Sequence, residues 1–504
     1  MWLLLNSNRN GSQRYTVAKN LLPQACIATV AIASLLSYSE SIMAADWVLE
    51  PKVEHSVNYT DNVYLAPDGQ EQQEWIVQIN PLLAMKVNGR YMNANLNYRM
   101  QNIIYVSDNQ RPNSIFHQLD AAGKAEIITN KLGLDATADY YQRNSSDQQV
   151  TGFDNIAITG KVINSARASL SPYFVYQFDD NVDLNIRYKY SRVDYSGSSV
   201  FDSKIGGVNL SVQGSKQDRR LSWQLSGSRT KVNYYSQPDI EFNSAELSTR
   251  YILRPRLSLL ANAGYDVNNY QQIVGKPEPE GSSWSTGLTW VLGRRSVVTL
   301  LLGRHYYGDA LSFSFNHRTR HSLWKMEYME DVVAGSATGI DPYSYSDQFQ
   351  QVPDADPRLN ELNNDAKYND QFSQVSTAEA YIRKRFSADC LINLRKIRFY
   401  VNALYDINQY QLSNVNENIL TGSASWVKSL TESTNLEISE NGQYIEYRDQ
   451  VSKGLVQRIK FKLERKANKN MSEYISYSYT SRYANNSIDE YEQNYIQLGL
   501  DIQL

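Results

Sequence analysis

Cysteine is nearly missing from this 504-residue chain: Cys26 lies near the N-terminus and Cys390 stands alone far beyond it. Two distant thiols exclude the clustered cysteines that hold zinc or iron–sulfur centres. Histidine is sparse too, at five residues. Neither sign of charge dominates: 50 Lys and Arg against 53 Asp and Glu leave a net −3, with no concentrated basic face for a nucleic acid. Past Leu36 no apolar run approaches the ~20 residues of a membrane-crossing helix. That last absence speaks only of helices, because a barrel strand needs an apolar residue at every second position.

The N-terminus has its own pattern. Arg9, Arg14 and Lys19 precede an apolar stretch from Ala25 to Leu36, and the small residues Ala44 and Ala45 precede Asp46. A basic head, a short apolar middle and a small-residue exit predict a secretory signal peptide over 1–44, cleaved after Ala44. The residues Leu22-Pro23-Gln24-Ala25 before Cys26 make a poor lipoprotein signal. Cleavage removes three positive charges and Glu40, taking the net from −3 to −5 and leaving Cys390 without a disulfide partner.

What is abundant is tyrosine, 37 residues against 13 Phe, in a chain of low mean hydropathy, −0.51. Apolar residues recur with period two from end to end. Val182, Leu184, Ile186, Tyr188 and Tyr190 interleave with Asp183, Asn185, Arg187 and Lys189, and Trp75, Val77 and Ile79 or Met92, Ala94 and Leu96 repeat the theme. Such alternation marks strands with one apolar and one polar face. Short connectors at 88–90, 129–131, 179–181, 254–256 and 293–295 alternate with longer polar stretches at 60–74, 142–155, 192–204 and 268–283. The longest polar stretch covers about 332–374. Counting the runs gives about 22 strands, within a range of 18–24.

The expected fold is all-β: a closed antiparallel transmembrane β-barrel over 45–504, a single domain with short periplasmic turns and long extracellular loops. Hydrocarbon cannot solvate unpaired backbone groups, so a spanning sheet must have no edge. A soluble all-β protein would not need its apolar parity so consistently. Trp47, Tyr59, Trp75, Tyr195, Trp223, Tyr265, Trp284 and Tyr405 are candidates for interfacial girdles. The chain ends on an alternating strand, Ile496 to Leu504, although its last residue is Leu where outer-membrane proteins usually have Phe or Trp.

Catalytic chemistry has little support. His317 and His321 stand four apart, a metal-ligand spacing on a helix, but in a strand-and-turn context flanked by Arg318 and Arg320 they predict a solvated turn. The other histidines, His55, His117 and His305, are isolated. No segment joins a nucleophile to a base and an orienting group. The expectation is therefore no catalytic residue, no cofactor and no metal. Polar-parity residues Lys52, Glu54, Arg99, Lys124, Asp183, Arg187, Lys189 and Arg250 should line a wet lumen. Alternation starts at Trp47, leaving no room for the plug domain that precedes the barrel of energised siderophore transporters.

Several stretches look familiar. Ala263-Gly264-Tyr265-Asp266-Val267-Asn268-Asn269-Tyr270 is followed by Ser283-Trp284-Ser285-Thr286-Gly287-Leu288-Thr289-Trp290. Gly303-Arg304-His305-Tyr306-Tyr307-Gly308 and Phe313-Ser314-Phe315-Asn316-His317-Arg318-Thr319-Arg320 come next. With Pro51, Tyr59-Thr60-Asp61-Asn62-Val63 and Pro172-Tyr173, this order resembles the PEP-CTERM system-associated outer-membrane β-barrel proteins, found beside exopolysaccharide machinery. The resemblance spans most of 45–504 in short, barrel-like motifs. It implies a non-enzymatic role in exopolysaccharide export or surface assembly in a Gram-negative outer membrane. Expected partners are outer-membrane lipid and lipopolysaccharide and, through the resemblance, polysaccharide and export-machinery proteins, with no nucleic acid. A general or sugar-selective porin, and a membrane-embedded hydrolase of envelope lipid or polysaccharide, are the alternatives.

Overall fold

The structure, a computed structural model, describes residues 45–107, 113–144, 155–157, 162–179, 181–196, 202–214, 220–276, 278–334, 378–447 and 453–504. Twenty-two strands follow one another: β1 (Asp46–Thr60), β2 (Glu74–Asn88), β3 (Met92–Tyr105), β4 (Ser114–Ile128), β5 (Leu132–Asn144), β6 (Val162–Asp179) and β7 (Val182–Tyr195). Next come β8 (Ser203–Gly214), β9 (Leu221–Tyr234), β10 (Ile240–Arg254), β11 (Leu257–Asn269), β12 (Glu280–Gly293), β13 (Ser296–His305), β14 (Gly308–Arg318) and β15 (Ser322–Ala334). The series ends with β16 (Ala380–Asn393), β17 (Ile397–Tyr410), β18 (Asn416–Ser429), β19 (Thr434–Glu446), β20 (Lys453–Lys466), β21 (Met471–Ala484) and β22 (Tyr491–Gln503).

Each strand pairs antiparallel with the next, and β22 returns to β1 from Lys52↔Gln503 to Thr60↔Tyr495. The sheet thus closes on itself and leaves no edge to satisfy in hydrocarbon. Periodicity gives about 22 strands, within 18–24, and the barrel has 22, most of them longer than the alternating runs alone. Val182–Tyr190 is only the first part of β7, and Leu221–Leu225 only the first part of β9.

The reason lies on the outward face. On β7 the outward residues Val182, Leu184, Ile186, Tyr188 and Tyr190 give way to Arg192 and Asp194. On β9 Leu221, Trp223 and Leu225 give way to Arg229 and Lys231, which pair with Glu241 and Asp239 of the β9–β10 corner. Leu500, Leu498 and Ile496 on β22 give way to Asn494 and Glu492. The apolar span along β7 matches the ~9–11 residues with which a tilted strand crosses a bilayer. Past it the outward face turns polar while on β7 and β9 the inward face turns apolar, at Val193, Val232 and Tyr234, so the parity of the spanning segment does not continue.

Seven of the eight girdle candidates take the outward parity. Tyr195 does not: it shares the lumen parity of Arg187, Lys189 and Val193 and packs against a buried apolar cluster. The polar stretches at 60–74 and 268–283 are connections, now bounded as 61–73 and 270–279, whereas those at 142–155 and 192–204 surrender residues to β5, β7 and β8. Most of the stretch at 332–374 lies outside the described residues, but Val332–Ala334 belong to β15. One connection at the long-loop end is short, the two residues Tyr306-Tyr307 between β13 and β14.

Candidate transport lumen

The inward parity is polar over most of its height. Lys52, Glu54, Arg99, Lys124, Asp183, Arg187, Lys189 and Arg250 all take it, and the first three join Asp501 in one ionic chain. Lys52 Nζ lies 3.3 Å from Glu54 and 3.0 Å from Asp501, and Arg99 reaches Glu54 at 3.0 Å. Further round, Arg187 meets Asp135 at 2.6 Å, donates to Ser171 Oγ at 3.1 Å and covers the Tyr173 ring at 4.6 Å. Tyr173 itself lies over Gly133, and Tyr474 lies likewise over Gly499 with Lys462 4.7 Å from its ring. Glycine is needed at both positions because a Cβ would enter the ring above it. These flat rings keep the wall smooth where a side chain would protrude.

Towards the long-loop end the lumen fills with protein. Val193, Ile205, Val232, Tyr234 and Ile240, contributed by β7 to β10, cluster with Tyr270, Ala334 and Ala380. Ala334 and Ala380 are the last described pair of the β15–β16 ladder, whose opposite face carries Val333 and Tyr381 against Tyr410. A wall strand has lipid or solvent on one side. This end is buried on both sides, and β16 keeps its pairing with β17 up to Tyr381↔Tyr410. The sheet allows it: β15 and β16 pair over thirteen residue pairs up to Ala334↔Ala380, while β14 and β15 pair over six and part beyond Phe313↔Tyr328.

Ion pairs fix this end from below. Arg383 grips Asp331 through two bonds of 3.1 and 2.7 Å, and Arg385 grips Asp406 through two of 2.7 and 2.8 Å. Asp406 is 2% exposed, and Arg385 is its ion-pair partner. The Glu379 carboxylate accepts from the backbone N–H groups of Leu412 and Ser413 at 2.5 and 2.6 Å. A strap from the β11–β12 connection crosses to the same turn, where Ile273 N donates to Gln411 O at 3.0 Å. Tyr270 and Tyr306 hydroxyls meet at 3.2 Å, and burial pushes both phenols, and that of Tyr307, up from the usual range, so they stay neutral.

A second body fills the opposite wall. Val63 and Leu65 from the β1–β2 connection pack with Ile156 and Ala157, against Ile76, Ile103, Tyr105, Tyr491 and Tyr495. Asn62, fully buried, donates to Ala66 O at 2.8 Å and Glu492 O at 2.9 Å, and accepts from Ala66 N at 2.8 Å. That clamp holds Leu65 at φ 52°, a conformation side chains with a Cβ seldom adopt. Tyr105 donates to Ile156 O at 2.9 Å, and Asn155 donates to Gln101 at 3.0 Å.

The histidines are scattered. His317 sits on the outward face of β14 with Nδ1 2.7 Å from Ser296 Oγ, and His321 lies in the β14–β15 turn. His117 Nδ1 is 2.8 Å from the Tyr98 hydroxyl, and His305 is 3.9 Å from Asp266. No group of three or more potential metal ligands occurs among the described residues. The Arg383 and Arg385 pairs and the Asn62 clamp were missed in the sequence. A signal existed for the first, since Arg383 and Arg385 share one parity, but their acids lie on the flanking strands.

Closed sheet, lipid-facing belt and polar interior together define a transmembrane β-barrel of the outer-membrane type. No family model matches the sequence, and no curated protein matches it. Among solved structures the chain is similar to the siderophore receptor PirA from Acinetobacter baumannii, at 7% identity, 90% of this chain, 80% of that chain and a TM-score of 0.47. It is similar also to the FrpB iron transporter from Neisseria meningitidis in its apoprotein form, at 8%, 90%, 81% and 0.49. For the ferric-catecholate import receptor Fiu from E. coli K12 the corresponding values are 8%, 91%, 82% and 0.48. These are likenesses of overall chain path only.

Proposed function

We propose that this chain is a non-enzymatic outer-membrane barrel serving exopolysaccharide export or surface assembly, as a gated conduit or as a structural partner of the export apparatus. One observation carries the conduit form: a polar lumen into whose long-loop end, among the described residues, two apolar groups pack, the β15–β16 end and the 62–66/155–157 pair. Hydrophilic solutes can be solvated along such a wall, and the apolar contacts between the β15–β16 end and β7–β10 can part while the β15–β16–β17 ladder stays intact. The polysaccharide assignment draws on the motif resemblance, from Tyr59-Thr60-Asp61-Asn62-Val63 to the Gly303–Gly308 turn. That packing at the mouth weighs against a general porin, which needs a standing opening.

Planar-bilayer recording tests the reading. Wild-type protein should be mostly closed, with rare steps that added anionic or neutral exopolysaccharide blocks and that lysozyme, a protein of similar bulk, leaves unchanged. Wide, permanently open steps insensitive to polysaccharide would favour the porin instead.

A further inference from the structure

The short-turn end of the barrel carries an unbalanced charge. Four of its connections, β10–β11, β12–β13, β14–β15 and β16–β17, lie at 254–256, 293–295, 318–321 and 394–398. Together these stretches hold nine Arg and Lys and no Asp or Glu. In the whole chain acids outnumber bases 53 to 50, so composition does not explain the run. Eight of the nine are exposed, and apart from Arg318 none forms an ion pair with another described residue. At the long-loop end, by contrast, Arg229, Lys231 and Lys453 are each held by an acid. The rest of the short-turn rim is mixed, since β6 ends on Asp179 and the β18–β19 connection carries Glu432.

The four turns are neighbours, two strands apart, which separates successive turns by about 10 Å at ~4.8 Å per strand. That spacing is close to the Debye length of ~10 Å at about 0.1 M salt, so their fields merge into one positive arc. The arc continues inward. Arg318 shares a face with Leu323, and Arg398 with Asn393, on the lumen side of β14 to β17. Deeper in the lumen stands Arg250, about 13 Å up β10 from the rim at Arg254, at ~3.3 Å per residue. Its cross-strand neighbours are Ser222 and Leu260. It forms no ion pair among the described residues, and its buried Nε has no hydrogen-bond partner there. A guanidinium is the side chain best shaped to grip a carboxylate.

We propose that this arc is the entrance for an acidic polysaccharide, a chain of sugars bearing carboxylates, which threads from the periplasm past Arg318 and Arg398 towards Arg250. The short-turn end faces the periplasm in barrels of this type. The proposal rests on the conduit reading above and adds to it the sign of the cargo and the mouth it enters. Lipid headgroups do not reach the lumen face. A folded acidic protein seated on the turns would leave Arg250 untouched. A flexible polyanion meets both. Exposed ion pairs are individually weak in water, so the arc gathers the polymer without trapping it.

The test measures, by fluorescence anisotropy, the binding of end-labelled alginate oligomers to the full barrel in neutral detergent, with dextran of matched length as control. At about 0.1 M salt alginate should bind at roughly tenfold lower concentration than dextran, and about 1 M salt should remove the preference. Arg294→Gln, Arg295→Gln, Arg395→Gln and Lys396→Gln together, all in exposed turns, should abolish most of it. Arg250→Gln alone, or Arg398→Gln should that variant not fold, should weaken alginate and leave dextran unchanged. Equal binding of the two polymers would overturn the inference and leave the conduit reading standing. A response to the four-site variant but none to Arg250→Gln and Arg398→Gln would confine the ligand to the rim, as for a docked acidic protein, and would also overturn it. So would stronger competition by dihexanoylphosphatidylglycerol than by unlabelled alginate, which would make the arc a lipid site. The absence of any current step in bilayers would overturn the conduit reading, and the threading with it, even where alginate binds.

Discussion

Lys52 on the first strand and Asp501 on the last lie 3.0 Å apart across the seam at which the barrel closes. The pair joins the two ends of the chain on the lumen side, where Glu54 and Arg99 extend it onto β3. Lys52 is over a third exposed, so water screens the attraction, and its net contribution is about 1 kcal/mol or less. Its greater role is register, because slipping β22 by one residue would turn Asp501 to the lipid.

Charge reversal should therefore weaken closure more than neutralisation does. Lys52→Glu sets three acids together, and its urea midpoint in vesicles should fall below that of Lys52→Ala. Adding Asp501→Lys should restore part of the loss. Equal midpoints for the two single variants would show that the seam ignores this charge.

Gly499 and Gly123 offer a paired comparison within one wall. A Cβ at Gly499 enters the Tyr474 ring, whereas one at Gly123 meets Ala94 Cβ at 3.7 Å. Gly499→Ala should cost about 1–3 kcal/mol by overpacking, and Gly123→Ala close to nothing, by urea unfolding. Tyr474→Ala should rescue the first.

Asp406 is buried against Arg385, and removing one member of such a pair leaves the other charge stranded. Arg385→Ala should destabilise by about 3–5 kcal/mol. The joint replacement Arg385→Leu with Asp406→Leu should recover most of that loss. Because the pair lies beneath the β15–β16 end, the single variant should also raise channel opening in bilayers.

The strand extensions supply a pH prediction. Burial holds the Asp202 carboxyl above its ordinary 3.8, although Tyr195 N donates to it at 2.7 Å. A folded-state value above the unfolded one favours the fold at low pH, and that benefit is lost as pH rises through the folded value. Asp202→Asn keeps an acceptor for Tyr195 N without the buried charge. It should slow hydrogen exchange at that amide near pH 7 and match wild type below about pH 3. Faster exchange in the variant at pH 7 would reverse the sign.

Much of this architecture was legible in the sequence because lipid imposes period two wherever it touches a strand. Val182–Tyr190 and Ile496–Leu504 declare themselves that way. The charged outer ends of β7 and β9 do not, since the outward face there carries Arg192, Asp194, Arg229 and Lys231 while Val193 and Val232 are buried within, which inverts the parity that lipid imposes lower down. Tyr195 could pass for a girdle residue by composition, and only the parity of β7, carried two residues past Val193, turns it inward. The packed β15–β16 end was the least legible part: Ala334 and Ala380 are unremarkable small residues, and their burial depends on β7–β10, far away in sequence. Lumen residues such as Arg187 were placed on the correct face, but their partners Asp135 and Tyr173 follow only from register.

The central claim is that hydrocarbon covers one face of each strand and water the other. Successive single cysteines from Asp183 to Tyr190, in a Cys390→Ser background, test it with a lipid-soluble quencher and a membrane-impermeant thiol reagent. Positions 184, 186, 188 and 190 should be quenched from the lipid, and 183, 185, 187 and 189 should react with the aqueous reagent. Aqueous reactivity at both sets alike would contradict the membrane-spanning barrel outright.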